Sequence, residues 1–128
     1  MRILYCRIGW MKSYSVNSIE KPEGGGKYNR ENTGHEVYNF LREDNKYYGY
    51  VESGKSKNIR IEKLCNDKKA ESVDDVLVVW VATKPKKGRQ YIVGWYQKAT
   101  VYRELQIVPD TVMTNRELKD HNDYNICS

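Results

Sequence analysis

The stretch Val76-Leu-Val-Val-Trp-Val-Ala82 decides the fold class. It is continuously apolar and rich in β-branched residues, which is typical of a central strand covered on both faces. The basic segment Thr83-Lys-Pro-Lys-Lys-Gly-Arg89 follows, and its proline and glycine predict a turn. Gln90-Tyr-Ile-Val-Gly-Trp-Tyr96 comes next and is predicted to be the hairpin partner of the central strand.

Shorter patterns on both sides of this hairpin predict further elements. The additional strands are expected at Arg2–Ile8, His35–Phe40, Lys46–Glu52, Asn58–Leu64, Ala99–Leu105 and from Tyr124 onward. A helical turn is expected at Asp67–Ser72 and a short helix at Val112–Leu118. Many short strands with little helical periodicity indicate a barrel or sandwich, so the fold class is mostly β with short helices (α+β).

Length and composition restrict the class of protein. The chain has 128 residues, of which 39% are hydrophobic, which suits one domain with a single core. Its longest apolar run is far below the 18 residues of a membrane span, and the N-terminus does not resemble a signal peptide. The three cysteines are widely spaced and form neither a disulfide framework nor a zinc ribbon. We therefore expect a cytoplasmic protein with no membrane partner.

Charge and aromatic content point to an anionic, ring-bearing ligand. Six basic residues and no acidic residue lie between Val76 and Arg103, whereas Glu104 to Ser128 holds two basic and five acidic residues. A basic centre with an acidic tail favours a polyanion on one face, although a solvated loop rich in lysine gives the same count. Eleven tyrosines and three tryptophans stand against one phenylalanine, which suits half-buried walls of a site but also fits a small β-protein.

Several familiar motifs fail. Gly24-Gly-Gly-Lys27 lacks the spacing of a phosphate-binding loop, and two histidines without Cys-x-x-Cys predict no zinc site. Asp110, Glu117 and Lys119 match the letters of a metal-dependent nuclease motif but lie in a segment without predicted strands. We expect no catalytic residue, no metal and no cofactor in this chain, and a metal-dependent nuclease stays an alternative.

The remaining chemistry is consistent with a base-binding pocket. Trp10, Trp80, Trp95 and Tyr96 fall at or within predicted strands, and flat aromatic walls suit a stacked base. The basic turn Lys84–Arg89 is suited to phosphates, and the glycines before Lys27 allow close approach of a backbone or base. The plainer alternatives are that Trp80 is core, that His35 is structural and that the lysines keep a hairpin soluble.

Five blocks of the sequence resemble a group of bacterial domains that precede nuclease modules in modification-dependent (type IV) restriction systems, a group related to the EVE branch of the PUA-like superfamily. The blocks are Gly9-Trp-Met-Lys-Ser-Tyr14, Gly24-Gly-Gly-Lys-Tyr-Asn29, Gly34-His-Glu-Val-Tyr-Asn-Phe40, Tyr48-Gly-Tyr-Val51, and Val93-Gly-Trp-Tyr96 together with Ala99-Thr-Val-Tyr-Arg103. The resemblance covers residues 1–105, which we expect to form the PUA-like or EVE-like domain. Residues 106–128 are then a C-terminal extension or linker.

The resemblance implies a small bent β-barrel that flips a modified cytosine, such as 5-methylcytosine, into an aromatic pocket. The residues expected to line or guard the pocket are Trp10, Tyr14, Lys27, Tyr28, Asn29, His35, Trp95 and Tyr96. Contacts to the nucleic-acid backbone are expected from Lys84, Lys86, Lys87, Arg89 and Arg103. Any nuclease activity is expected in another domain or subunit.

The leading hypothesis is therefore a DNA-binding module for a 5-modified cytosine in phage defence. An RNA-binding PUA-like module is the second, the nuclease is the third, and a barrel that binds a small molecule or a protein is the fourth.

Overall fold

A computed structural model describes residues 1–11, 38–43, 45–54, 58–86, 88–113 and 122–128. Their strands are β1 (Arg2–Arg7), β2 (Arg42–Glu43), β3 (Lys46–Gly49), β4 (Ser72–Thr83), β5 (Gln90–Ile107) and β6 (Asp123–Cys127). Two four-residue helices are described, α1 (Glu62–Cys65) and α2 (Asp110–Met113). The prediction of a mostly β protein with short helices is confirmed.

The six strands form one mixed sheet in the order β1-β4-β5-β6-β3-β2. β1 runs parallel to β4, and all other neighbouring strands are antiparallel. In the part of the chain that the structure describes, β1 and β2 are the two edges, and the sheet does not close into a barrel. In the same part of the chain, no helix is both long and apolar enough to cross a bilayer.

The hairpin predicted from the apolar stretch is confirmed. Thr83 pairs with Gln90, and the Lys84 N–H donates to the Arg89 carbonyl at 2.9 Å to close the turn. Gly88 has φ +67°, a conformation that glycine adopts without a side-chain clash. The strand predicted at Ala99–Leu105 is not separate, because β5 runs without interruption from one end of the hairpin to Ile107.

The core lies on one face of this hairpin. Trp80, at 0% exposure, packs edge-on against Tyr96 with ring centroids 5.1 Å apart. Gly49 makes the packing possible, because a Cβ there would lie 2.9 Å from atoms of both rings. Trp80 is therefore a core residue and not a pocket wall, which was the alternative prediction for this position.

The segment predicted as a strand at Asn58–Leu64 is a turn followed by α1, so that prediction is wrong. Ile59 and Ile61 both face the core, which mimics strand alternation in the sequence. The Cys65 N–H donates to the Ile61 carbonyl, however, and Asn66 ends the helix in the left-handed conformation with φ 57°. The helical turn expected at Asp67–Ser72 thus lies a few residues earlier.

The end of the chain belongs to the sheet. β6 pairs with β5 on one side and β3 on the other, so the strand expected from Tyr124 onward is confirmed. Residues 106–128 therefore contain an inner strand of the same sheet. Of the strand predicted at His35–Phe40, residues 35–37 lie outside the described part, and Tyr38–Phe40 form a turn closed by the Leu41 N–H on the Tyr38 carbonyl.

Two buried asparagines extend the pairing beyond β3. The strand predicted at Lys46–Glu52 ends at Gly49. The backbone of the next two residues forms hydrogen bonds with side-chain amides instead of with the backbone of a neighbouring strand. The Asn39 amide bonds both the N–H and the carbonyl of Tyr50, and the Asn125 amide does the same for Val51. Both asparagines are buried, so these bonds satisfy polar groups that water cannot reach.

Candidate functional site

A recess of about 890 Å³ lies beside the first half of β5. Four aromatic side chains line it, namely Phe40, Tyr47, Trp95 and Tyr96, together with Lys98 and Gln97. Its volume falls within the range of about 300–1,000 Å³ that is usual for ligand sites. The Trp95 indole is 61% exposed, so one flat wall of the recess is open to solvent.

The strand pairing explains why β5 borders a recess here. β6 pairs with β5 from Thr100 onward, so in the described residues β6 does not cover the strand before that position. Ser128, directly after β6, marks the limit, because its hydroxyl donates to the Gln97 carbonyl at 2.8 Å. Lys98 has φ 49°, which bends β5 at the rim of the recess.

Gly94 allows an aromatic ring to lie directly on the strand. A Cβ at this position would come within 2.3 Å of the Phe40 ring. The ring is also edge-on to Trp80, with centroids 6.5 Å apart, so it joins the recess to the core. A β-bulge lies beside Gly94, since the register of β4 and β5 shifts between Trp80 and Val81.

Tyr96 and Trp95 are neighbours in the sequence but have different environments. The Tyr96 ring is 3% exposed, and its hydroxyl donates to the Asn39 carbonyl. It also lies 5.8 Å from the Tyr47 ring, centroid to centroid. Tyr96 therefore forms the inner side of the recess with its polar tip engaged, while Trp95 forms the accessible wall.

Trp10 forms a separate cluster beside the basic turn. Its ring centroid lies 6.0 Å from that of Tyr91, and the Lys84 ammonium lies 5.9 Å from the Trp10 ring centroid, within range of a cation–π contact. Trp10 is not among the described residues that line the recess. The structure therefore places Trp10 beside the basic turn and Trp95 at the recess, and not in one pocket.

The basic residues predicted to bind phosphates also divide into two groups. Lys86 and Arg89 are exposed in the turn, where Lys86 has φ 69°. Arg103 instead binds the chain itself. Its guanidinium donates to Glu62 Oε2 at 2.7 Å and to the carbonyls of Ala70, Lys68 and Asp67 at 2.9, 3.2 and 3.4 Å. These bonds assign Arg103 a structural role, holding α1 and the following turn against β5.

The Arg103 contact also has an electrostatic consequence. The pKa of the Glu62 carboxyl is lowered, first by a hydrogen bond from its own backbone N–H and then by the Arg103 guanidinium. Burial has the opposite effect on the Cys6 thiol, whose pKa rises to about 12 because its thiolate would be desolvated. Cys6 is therefore a core residue without nucleophilic character at neutral pH.

Part of the predicted site lies outside the described residues. This applies to Tyr14, Lys27, Tyr28, Asn29, His35 and Lys87, and to Glu117 and Lys119 of the nuclease alternative. Asp110 is described and begins α2 at an exposed position. Within the described ranges, no three histidine, cysteine, aspartate or glutamate side chains come together as metal ligands would.

Of the nine described residues that line the recess, only Trp95 and Tyr96 were predicted from the sequence. Among the others, Phe40 comes from the turn before β2, Tyr47 from β3 and Lys98 from β5. Strand periodicity does not indicate which distant segments meet, so no local signal identified Phe40 or Tyr47. The alternation of β5 did carry one signal, because adjacent strand residues point to opposite faces and Trp95 and Tyr96 therefore differ in exposure.

Comparisons with known proteins add no relative: a scan against protein-family models, a search of curated proteins and a search of solved structures each found no match to this chain.

Proposed function

We propose that the chain is a DNA-binding module that accepts a 5-modified cytosine in the recess beside β5. The single observation that carries the proposal is the exposed Trp95 indole at a recess of about 890 Å³. A base that stacks on an aromatic side chain gains about 1–3 kcal/mol, and reaching a base in a duplex requires its extrusion from the stack.

The sequence resemblance supplies the fold family and the biological role in this proposal. The chain is a PUA-like, EVE-type domain, and its role is the recognition step of a modification-dependent restriction system in the cytoplasm. Cleavage is carried out by a separate nuclease domain or subunit. The chain itself is not an enzyme under this proposal.

The charge distribution supports a nucleic-acid ligand. Lys98 lines the recess beside Trp95, and the hairpin turn adds the exposed Lys86 and Arg89. Phosphate contacts from these side chains supply affinity without base specificity and make binding strongly dependent on salt. The recess must therefore supply the discrimination, which depends on how well it accommodates a small substituent at the cytosine C5 position.

The test is a titration of fluorescein-labelled duplexes that differ only in one cytosine, which is unmodified, 5-methylated or 5-hydroxymethylated. We expect tighter binding of one modified duplex. Trp95→Ala should weaken that binding by about 1–3 kcal/mol. Ile107→Ala is the matched control, because Ile107 is also an exposed apolar residue of β5 and does not line the recess. Equal affinity for all three duplexes would contradict the proposal.

An RNA-binding module is the second candidate. The observation in its favour is again the exposure of Trp95, since an accessible ring stacks equally well on an unpaired RNA base. Competition between the modified duplex and a single-stranded RNA of the same length distinguishes the two candidates. Displacement of the duplex by a small excess of RNA would favour the RNA-binding module.

A further inference from the structure

Two exposed aromatic rings lie in one row across three neighbouring strands. Tyr5 of β1 pairs with Val79 of β4, and Val79 pairs with Trp95 of β5. Paired residues of adjacent strands present their side chains on the same face of a sheet. Tyr5 is 67% exposed and Trp95 is 61% exposed, while Val79 between them is 8% exposed. The two rings therefore stand on either side of a low apolar floor.

This row lies on the face opposite the core. The side chains of Cys6 and Trp80, which belong to the adjacent row, point into the core, and this fixes the direction of the Tyr5 row. Successive strand residues alternate between faces, so Tyr5 and Cys6 must point in opposite directions. The strand spacing of about 4.8 Å places the Tyr5 and Trp95 backbones roughly 10 Å apart.

Positive side chains border both ends of the row. Beyond Tyr5 lies a depression of about 480 Å³ lined by Arg7, Arg60 and Lys63, with Glu52 as the one acidic side chain among its described lining residues. Beyond Trp95 lies the recess with Lys98 on its rim. Aromatic rings between cationic borders are the arrangement with which proteins bind single strands, because rings stack on bases and cations follow the phosphates.

We propose that the face of β1, β4 and β5 that presents Tyr5 and Trp95 is a platform for an unpaired stretch of nucleic acid, with bases stacking on these two rings. Lys63 contacts the phosphates on the Tyr5 side, together with Arg60, whose guanidinium lies 3.9 Å from the Glu62 carboxylate at the surface. Trp95 belongs both to this row and to the recess, so a strand on the platform reaches the recess directly.

The inference goes beyond the proposed function, because Tyr5 lies outside the recess and the platform requires no modified base. It depends on the proposed function only in that nucleic acid is the ligand. Charge favours this ligand over a second protein: cationic side chains border the rings on both sides, and the whole chain carries a formal charge of +5.

The experiment uses the full chain and an unmodified, fluorescein-labelled single-stranded DNA of 12 thymidines, followed by anisotropy at low salt. Tyr5→Ala should weaken binding by about 5- to 140-fold, which corresponds to the loss of one stacked base. Tyr5→Phe keeps the ring and should bind as the wild type does. Ile107→Ala is the control, because it removes an equally exposed apolar side chain outside the row. Lys63→Gln should reduce the dependence of affinity on salt.

Two results would overturn the inference. One is binding of the oligonucleotide by Tyr5→Ala with wild-type affinity. The other is a wild-type dimer in sedimentation analysis that Tyr5→Ala converts to a monomer, since the face would then be covered by a second copy.

The two proposals fail separately. If the wild type binds modified and unmodified duplexes with equal affinity but its binding of single strands still depends on Tyr5, only the proposed function is removed. Normal discrimination by Tyr5→Ala, together with unchanged single-strand binding, removes only the platform.

Discussion

The buried amide of Asn125 offers a sensitive test of how the last strand is held in the sheet. Its Oδ1 accepts a hydrogen bond from the Val51 N–H at 3.1 Å, and its Nδ2 donates to the Val51 carbonyl at 2.9 Å. Asn125 is 1% exposed, so water cannot replace either bond. The variant Asn125→Asp keeps the shape of the side chain but places a carboxylate oxygen against the Val51 carbonyl.

The expected loss of stability follows from the protonation of this carboxyl. Full burial raises the pKa of an aspartate by up to about 3–5 units above its ordinary value of about 3.9, since the charged form is desolvated. When folding raises the pKa of a carboxyl, its contribution to the free energy of unfolding is fully present below the pKa of the unfolded state. This contribution is lost as the pH rises through the pKa of the folded state. With a shift of about 3 units, the cost at pH 7.5 is about 4 kcal/mol. The protonated form can donate to the Val51 carbonyl, so most of the loss is recovered near pH 4.

The assay is urea unfolding of wild type and variant at pH 4.5 and 7.5, followed by tryptophan fluorescence. A loss of about 4 kcal/mol lowers the midpoint by roughly 2 M for a typical slope of about 2 kcal/mol/M. Asn45→Asp is the control, because Asn45 is exposed and its Oδ1 already accepts a bond from Arg42. An Asn125→Asp variant as stable as wild type at pH 7.5, or equally destabilised at both pH values, would refute the reasoning.

Three further predictions concern the core and its borders. Gly49→Ala should lower the free energy of unfolding by about 1–3 kcal/mol, because the new Cβ meets two buried aromatic rings at 2.9 Å. Gly88→Ala faces open space and should lose only about 1–2 kcal/mol, because the residue has a positive φ. The urea midpoints of the two variants test this difference. Cys6, with a pKa of about 12, should react with the disulfide reagent DTNB at pH 8 only when the protein unfolds. The partly exposed Cys65 should react in the native state. Similar reaction rates of the Cys6 and Cys65 thiols in the native protein would contradict this prediction. Arg103→Met should raise the lowered pKa of the Glu62 carboxyl, which NMR titration measures. The variant should also lack a stabilisation that the wild type has at neutral pH and loses as the pH falls through the Glu62 pKa. An unchanged pKa would show that the backbone N–H of Glu62 alone lowers it.

Local sequence was sufficient for the hairpin and insufficient for the site. The apolar run Val76–Ala82 and the proline and glycine of the turn fixed β4, its partner and their connection, because these features act over a few residues. The aromatic residues were harder to assign, since Trp80, Trp95 and Tyr96 all occur in strands and all suit a pocket wall. Strand alternation separates Trp95 from Tyr96, but only the position of the core shows which of them is exposed.

The sequence alone therefore determined the β character of the chain, its hairpin and the basic turn at the hairpin tip. The tertiary structure decided which residues share a face and which segments meet. β1 reaches β4 from more than sixty residues away, and β6 inserts between β5 and β3, so the Tyr5–Val79–Trp95 row and the lining of the recess have no counterpart in local periodicity. A register shift between Trp80 and Val81 also changes which residues of β5 lie opposite β4. Such a shift depends on packing against distant rings, which is a property of the assembled sheet and not of either strand.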